Sequence, residues 1–190
     1  YEMLRSLVGS EMCIRDRRVV LVRHNSYLFK GTVEENLKMA KPDATKEEME
    51  AVLQKVNLLG FLQTQDGLQT QLLEKASNLS GGQCQRLVIA RALLRTDSAV
   101  YIFDEAASNI DVESEELIMN VIHELAKTKT VLLISHRLAN VVKSDKIYFL
   151  KDGEIKESGK HDELMSQNGA YRHLYESQMA LENYGKGGMA

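Results

Sequence analysis

The chain has 190 residues, enough for one domain with a hydrophobic core of its own. Hydrophobic residues make up 44% of it and charged residues 27%, a globular composition that excludes intrinsic disorder, a collagen repeat and a disulfide scaffold. Its net charge of −3 provides no basic field for nucleic acid, and no apolar run approaches the roughly 20 residues that span a bilayer, so we expect a soluble chain that does not bind nucleic acid.

The first elements follow an irregular start. Residues 1–17 show no sustained periodicity, and we interpret them as a leader unrelated to the fold. The apolar run 19–22 then predicts a buried strand, because it is rich in β-branched residues. Further along, Thr45 and Glu48 have the spacing of a capping box, and the apolar residues that follow recur at helical intervals, which predicts an amphipathic helix.

Two short apolar runs, residues 100–103 and 131–134, flank a helical pattern at about 113–127. Strand, helix and strand in this order predict a right-handed crossover and a parallel sheet covered on both faces, and therefore an α/β fold. The Asp152-Gly153 pair then predicts a hairpin turn between two strand-like segments. After the hairpin we expect two short helices and a flexible tail, at about 160–166, 170–181 and 183–190.

Two adjacent carboxylates, Asp104 and Glu105, end the apolar run 100–103. In parallel α/β sheets ligands bind beyond the carboxyl ends of the strands, where this pair is expected. Because successive strand side chains point to opposite faces, Asp104 and Glu105 can contact different groups, one a metal and the other a water. A surface turn with two acidic residues is an equal alternative on this observation alone.

A serine and two glycines directly precede a further helical stretch. Backbone N–H groups, a hydroxyl and the positive end of a helix dipole together form an anion site that suits a phosphate. The alternative is an ordinary loop that merely begins a helix. The five residues are Leu79, Ser80, Gly81, Gly82 and Gln83.

This string resembles the signature motif of the ATP-binding cassette (ABC) ATPases, which is written LSGGQ. Segments at 22–36 and 152–171 resemble the Q-loop region and the end of exporter-type members, and the resemblance extends over about 18–178. The other motifs come in the family's order: the Walker B carboxylates Asp104 and Glu105, the D-loop Ser108-Asn109-Ile110-Asp111, and the switch histidine His136.

The resemblance implies a P-loop NTPase (RecA-like) sheet with an inserted helical subdomain at about 33–97, and a site for ATP and Mg²⁺. In that site Asp104 would hold Mg²⁺, Glu105 would polarise the attacking water, and His136 would hydrogen-bond the γ-phosphate. Asp111 would communicate across a dimer interface. The signature residues that would close onto the ATP of the partner subunit are Ser80, Gly81, Gly82 and Gln83.

Two features depart from the family pattern. His24 stands where the family has the Q-loop glutamine, and imidazole prefers softer metals than Mg²⁺, so we expect at most a water-mediated contact. No P-loop of the form G-x-x-x-x-G-K-[ST] is present, because the Gly-Lys pairs at 159–160 and 185–186 lack its other residues. We therefore interpret 18–182 as a cassette truncated at its front, and expect the isolated chain to be inactive.

The leading hypothesis is the nucleotide-binding domain of an ABC exporter at the cytoplasmic face of the cell membrane. Its partners would be a second nucleotide-binding domain, identical or different, and a transmembrane domain fused upstream that selects the substrate. The alternatives are an ABC-type ATPase of DNA repair or chromosome organisation, and a cassette without catalysis. The absence of a long heptad arm disfavours the first, and the presence of Ser80, Glu105 and His136 disfavours the second.

Overall fold

The structure is a computed structural model that describes residues 18–106 and 111–187. The chain divides into two compact units, of which the first ends at Ile134 and the second begins at Ser135. Within the described ranges, no helix combines the length and the apolar composition that a membrane span requires.

The first unit combines a parallel sheet with a mainly helical segment between its first two strands. Its elements in chain order are β1 (Val19–Arg23), β2 (Gly31–Thr32), α1 (Val33–Lys38), α2 (Lys46–Lys55), α3 (Leu59–Gln63), β3 (Gln71–Leu72), α4 (Gly81–Leu93), β4 (Val100–Asp104), α5 (Val112–Ala126) and β5 (Thr130–Ile134). Single 3-10 turns lie at Gly67–Gln69 and Glu74–Ala76. The predicted strands at 19–22, 100–103 and 131–134, and the helix between the last two, are confirmed.

The sheet has the order β1-β4-β5, and both pairings are parallel, as predicted. Its register aligns Arg23, Asp104 and Ile134, the last residues of the three strands. The carboxyl ends of the strands therefore form one level edge.

One face of this sheet carries the core of the first unit. Tyr101 and Phe103 are buried there, together with apolar residues of α4 and α5. On the other face Leu21 and Leu132 are 47% and 50% exposed, which differs from the predicted cover on both faces. The alternation within a strand identifies two apolar faces, but it does not determine which elements pack on them.

Three helices of this segment, α1, α2 and α4, begin with capping boxes. In the box of α2, the Glu48 backbone N donates to Thr45 Oγ1 at 3.2 Å, and the Thr45 backbone N donates to Glu48 Oε2 at 3.0 Å. This helix was predicted from that spacing, and it is confirmed. Each box satisfies N–H groups that the first turn of a helix leaves without an intrahelical partner.

The second unit consists of a hairpin and two helices. Its elements are a 3-10 helix (Leu138–Val141), β6 (Ile147–Lys151), β7 (Glu154–Gly159), α6 (His161–Ser166) and α7 (Ala170–Gly187). Asp152 and Gly153 both have positive φ, +53° and +77°, as a tight turn between antiparallel strands requires. The hairpin prediction is confirmed. Helix α7 continues past its predicted end near 181, so the tail expected from 183 is helical up to Gly187.

Helix α7 is anchored at its first turn by two contacts. Glu157 Oε1 of β7 accepts a hydrogen bond from the Ala170 backbone N at 2.6 Å, which caps the helix with a carboxylate. The Tyr171 ring is buried, and its hydroxyl lies 2.8 Å from His161 Nδ1. Burial raises the pKa of the Tyr171 hydroxyl, which therefore stays protonated.

Candidate functional site

The two candidate carboxylates lie at the level edge of the sheet. Asp104 is the last residue of β4, and Glu105 follows it; both side chains are half-buried. The Glu105 backbone N donates to the Ile134 carbonyl at 3.0 Å, which extends the pairing of β4 and β5 by one residue. This pairing thus fixes the backbone of Glu105 at the carboxyl edge of the sheet.

The backbone of Glu105 has an unusual conformation. Its φ is +50°, a left-handed value that costs a residue with a Cβ about 1–3 kcal/mol. Asn57 and Asn168 share this conformation, and asparagine tolerates it better than glutamate does. Lys75 and Ala76 share it too. Because such outliers are enriched at active sites, the conformation of Glu105 at the end of a strand is compatible with a chemical role.

His24 emerges at the same edge of the sheet. Arg23 is in register with Asp104, and a turn follows in which the Ser26 backbone N donates to the Arg23 carbonyl at 3.1 Å. His24 lies in this turn, and it is exposed. The side chain of Gln85, which is buried in α4, donates to the same Arg23 carbonyl at 3.4 Å. The structure therefore brings His24, Asp104 and Glu105 to one edge.

The signature residues form the start of α4. Ser80 is the N-cap, and its Oγ accepts from the Gln83 backbone N at 3.2 Å. Gln83 Oε1 accepts in turn from the Ser80 backbone N at 2.8 Å. Gly81 is exposed and Gly82 partly so. The helix begins at Gly81, so its first N–H groups and its positive dipole end face outward, as an anion site requires.

Asp111 is the N-cap of α5. Its Oδ1 accepts from the Ser114 backbone N at 2.9 Å. Hydrogen bonds from the Ser114 backbone and hydroxyl, together with the charge of Arg86, lower the pKa of the Asp111 carboxyl. The remaining D-loop residues, Ser108, Asn109 and Ile110, lie outside the described part of the chain.

Arg86 joins the signature helix to the start of α5. Its Nη1 donates to Ser114 Oγ at 3.0 Å and to the Asn57 carbonyl at 3.1 Å, while its Nε donates to the Gly82 carbonyl at 3.4 Å. No role for Arg86 follows from the sequence alone. Its position three residues after the string LSGGQ was the available signal, but the pattern does not say which backbone groups it reaches.

Asn36 and Arg91 hold the segment that follows His24. The buried amide of Asn36 accepts from the Phe29 backbone N at 2.9 Å and donates to the Phe29 and Thr32 carbonyls at 2.9 and 3.0 Å. Arg91 Nη2 donates to the Tyr27 carbonyl at 2.9 Å, and burial lowers the pKa of its guanidinium. The signal for this role is that a polar residue, Asn36, occupies a position that the helix buries.

The second unit holds His136. Its side chain is exposed, and the segment around it is braced by side chains: Ser135 Oγ accepts from the Arg137 backbone N at 3.0 Å. Gln178 Nε2 of α7 donates to the His136 carbonyl at 2.8 Å. Contacts within the second unit therefore fix the backbone at His136.

The donor set at the sheet edge fits Mg²⁺ through Asp104. Mg²⁺ takes one or two carboxylates and completes its shell with water and substrate phosphates, so a dedicated cage of side chains is not required. No group of three or more histidine, cysteine or acidic side chains suited to a metal ion occurs among the residues described. The imidazole of His24 is a poor donor for this ion.

Comparison with known proteins agrees with these motifs. The sequence matches the ABC transporter family over residues 3–108. The chain belongs to the ABC transporter family. The matched range begins within the stretch 1–17 that the sequence analysis interprets as a leader, and that interpretation stays a prediction. The α/β fold inferred from the resemblance is confirmed by a solved relative, described next.

Similar proteins are much longer than this chain. An uncharacterized ABC transporter ATP-binding protein of Haemophilus influenzae is 52% identical over 166 residues, which are 87% of this chain and 30% of that protein. An ATP-dependent lipid A-core flippase of Vibrio cholerae is 42% identical, over 85% of this chain and 28% of the flippase. The solved structure of a bacterial Atm1-family ABC exporter with ATP bound has a TM-score of 0.79 and 29% identity, and covers 85% of this chain and 28% of that one.

Proposed function

We propose that this chain belongs to an ATP-hydrolysing domain that powers export of a substrate across a membrane. The observation that carries the proposal is the strained Glu105 beside Asp104 at the carboxyl edge of a parallel sheet. Family membership supports it, as do similar proteins, among them an ATP-dependent flippase and an exporter with ATP bound.

In the proposed reaction a water attacks the γ-phosphorus of ATP, the bond to the bridging β,γ-oxygen breaks, and ADP and phosphate leave. Glu105 accepts a hydrogen bond from the water and takes its proton as the new P–O bond forms. Asp104 holds Mg²⁺, which neutralises charge on the phosphates when bound. His136 donates a hydrogen bond to the γ-phosphate. Most of the rate enhancement comes from positioning and electrostatics.

The signature residues act on a second nucleotide-binding domain in this proposal. The exposed N-terminus of α4, with the Ser80 hydroxyl and the N–H groups of Gly81 and Gly82, binds the phosphates of ATP held by the partner copy. Gln83 keeps this turn in place through the capping box. Asp111, at the start of α5, responds to the partner across the same interface, and Arg86 links it to Gly82.

Similar proteins also support a proposal about the partner domains of this chain and its location in the cell. Putative multidrug export proteins of Staphylococcus aureus are described as ATP-binding/permease proteins, and one is 40% identical over 85% of this chain. We therefore infer that the chain works with a membrane-spanning domain, on the cytoplasmic face of the cell membrane. In this proposal His24, in the turn after β1, contacts Mg²⁺ through a water and responds to the state of that domain. Nucleic acid has no place in this proposal, because the net charge is −3.

The proposed domain extends over residues 18–182, with its helical subdomain at about 33–97. This subdomain contains α1 to α4 and the two-residue strand β3, which pairs with β2 just before the subdomain begins. Insertion between β1 and β4 brings the signature helix back to the sheet, where Gln85 meets the end of β1.

The decisive experiment replaces Glu105 by glutamine in the intact gene product that carries this chain. Because glutamine keeps the shape but cannot take a proton, we expect kcat for ATP hydrolysis to fall by roughly 100- to 10,000-fold, while ATP binding persists. The control is Glu124→Gln, which removes an exposed carboxylate paired with Lys127 and leaves the sheet edge unchanged. ATP hydrolysis by Glu105→Gln at the rate of the unsubstituted protein would remove Glu105 from the role of base.

A further inference from the structure

We propose that Gln178, far along the chain in α7, is a positioning residue for His136. The inference rests on the proposed function, in which the His136 side chain contacts the γ-phosphate. Gln178 bonds to the backbone of His136 and Leu138, and it acts through that histidine.

The contact is a two-point clamp on the main chain. Gln178 Nε2 donates to the His136 carbonyl at 2.8 Å, and Gln178 Oε1 accepts from the Leu138 backbone N at 2.9 Å. Both distances are those of good hydrogen bonds. A single carboxamide therefore fixes the carbonyl and the N–H that enclose Arg137, and with them the direction in which the chain leaves His136.

The clamp satisfies a group that the local fold leaves open. Leu138 is the first residue of the 3-10 helix Leu138–Val141, whose N-cap, Arg137, makes no side-chain capping hydrogen bond. The N–H groups of a first helical turn have no partner within the helix. Gln178 supplies the acceptor that a capping side chain would otherwise provide, and Ser135 Oγ braces the Arg137 N–H at 3.0 Å.

The clamp has a rigid base, because α7 is fixed where it begins. Glu157 caps Ala170, and the buried Tyr171 bonds to His161. Gln178 lies seven residues after Tyr171, so the two side chains share one face of the helix. The aromatic packing of this unit thus sets the position of Gln178, and Gln178 sets the position of the His136 backbone.

Exposure of the His136 side chain makes this support important. The position of this imidazole relative to a bound phosphate is set in part by the backbone that carries it. A misplacement of about 1 Å in a reacting constellation can reduce a rate on the order of 100-fold. Loss of the clamp should therefore lower turnover without removing any group that touches ATP.

The test compares four forms of the intact gene product: unsubstituted, Gln178→Ala, His136→Ala and the double variant. We expect Gln178→Ala to lower kcat for ATP hydrolysis by roughly 10- to 100-fold, while KM for ATP changes by less than about threefold. In the His136→Ala background the same substitution should lower kcat no further, because its target is gone. Gln178→Glu, which keeps the acceptor for Leu138 and loses the donor to His136, should retain an intermediate rate.

The matched control is Gln167→Ala, which removes an exposed glutamine of the same unit at the C-cap of α6. Hydrogen exchange of the Leu138 amide gives a readout that needs no ATP, and we expect Gln178→Ala to accelerate it at least tenfold while Gln167→Ala does not. An equal loss of kcat in both backgrounds, or unchanged exchange at Leu138, would overturn the assignment. Failure of the proposed function is distinguished by an unsubstituted protein that does not hydrolyse ATP at all.

Discussion

Asp111 combines a capping role with the role that the family resemblance gives it. It caps α5 through Ser114, which also accepts a hydrogen bond from Arg86. Arg86 in turn contacts the Gly82 carbonyl of the signature motif. Arg86 and Ser114 therefore connect two motifs that are both proposed to face a partner subunit, and a change at either end is expected to reach the other.

The charge of Asp111 should make stability depend on pH. Its pKa is lowered in the folded chain, mainly by the Ser114 backbone hydrogen bond, so the ionised form stabilises the fold above the ordinary aspartate pKa of roughly 4. This contribution is lost as the pH falls through the lowered value. We expect the unsubstituted chain to be more stable than Asp111→Asn at pH 7, and the difference to disappear once the pH falls below the lowered pKa of Asp111, as measured by urea unfolding at several pH values.

Asp66→Asn is the matched control for this experiment, because the Asp66 side chain makes no capping hydrogen bond. A stability difference between the unsubstituted chain and Asp111→Asn that is the same at every pH would show that the charge is not involved.

At the scale of elements, α4 connects several parts of the first unit. Gln85 contacts the end of β1, Arg86 contacts the start of α5, and Arg91 contacts the segment after His24. The first two are adjacent in sequence, yet they reach different elements, because neighbouring residues of a helix point about 100° apart. The signature motif therefore lies on the helix that has polar contacts to the sheet edge, to α5 and to the segment after His24.

Helix α1 also contacts the segment after His24, through hydrogen bonds of Asn36. Replacement of Asn36 by alanine leaves the Phe29 N–H and the Phe29 and Thr32 carbonyls without their partner. We expect Asn36→Ala to lower the free energy of unfolding by about 2–4 kcal/mol, measured by urea denaturation, since unsatisfied polar groups in buried surroundings are costly.

Asn25→Ala, in the exposed turn after β1, serves as the control and should change stability by less than about 0.5 kcal/mol. A loss below 1 kcal/mol for Asn36→Ala would indicate that water replaces the amide, contrary to the buried environment of Asn36.

The whole molecule combines a signature helix and a carboxylate pair with no phosphate-binding P-loop in its 190 residues. The interactions that hold the triphosphate in P-loop proteins come from that loop. We therefore expect the 190-residue chain alone to bind ATP with a Kd above about 1 mM, and to show no steady hydrolysis, as measured by calorimetry and by phosphate release. Micromolar affinity for ATP would contradict this expectation.

One apolar face of the central sheet is exposed in this chain. Val19, Leu21, Leu132 and Ile134 are each at least 40% exposed, although their alternation with buried neighbours is that of a sheet with two apolar faces. We expect this face to bind a hydrophobic dye when the chain is isolated, because large apolar patches are rarely left in contact with water.

The sequence alone determined the elements whose signals are local. The sequence predicted strand β1, the crossover from β4 through α5 to β5, the capping box of Thr45 and the hairpin turn. These signals are readable because apolar periodicity and caps involve residues within a few positions of each other. The ordered motifs likewise identified the ABC transporter family. The position of Asp104 and Glu105 at the carboxyl edge followed from strand polarity in a parallel sheet.

Only the tertiary structure decided the contacts between distant segments. Arg86 meets Ser114 across 28 residues, and Gln178 meets His136 across 42. The left-handed backbone of Glu105 and the shared edge of His24 and Asp104 also depend on the pairing of separate strands. A hydrogen-bonding side chain specifies its chemistry but not its partner, since the partner is chosen by how the elements pack, and packing sums interactions over the whole unit.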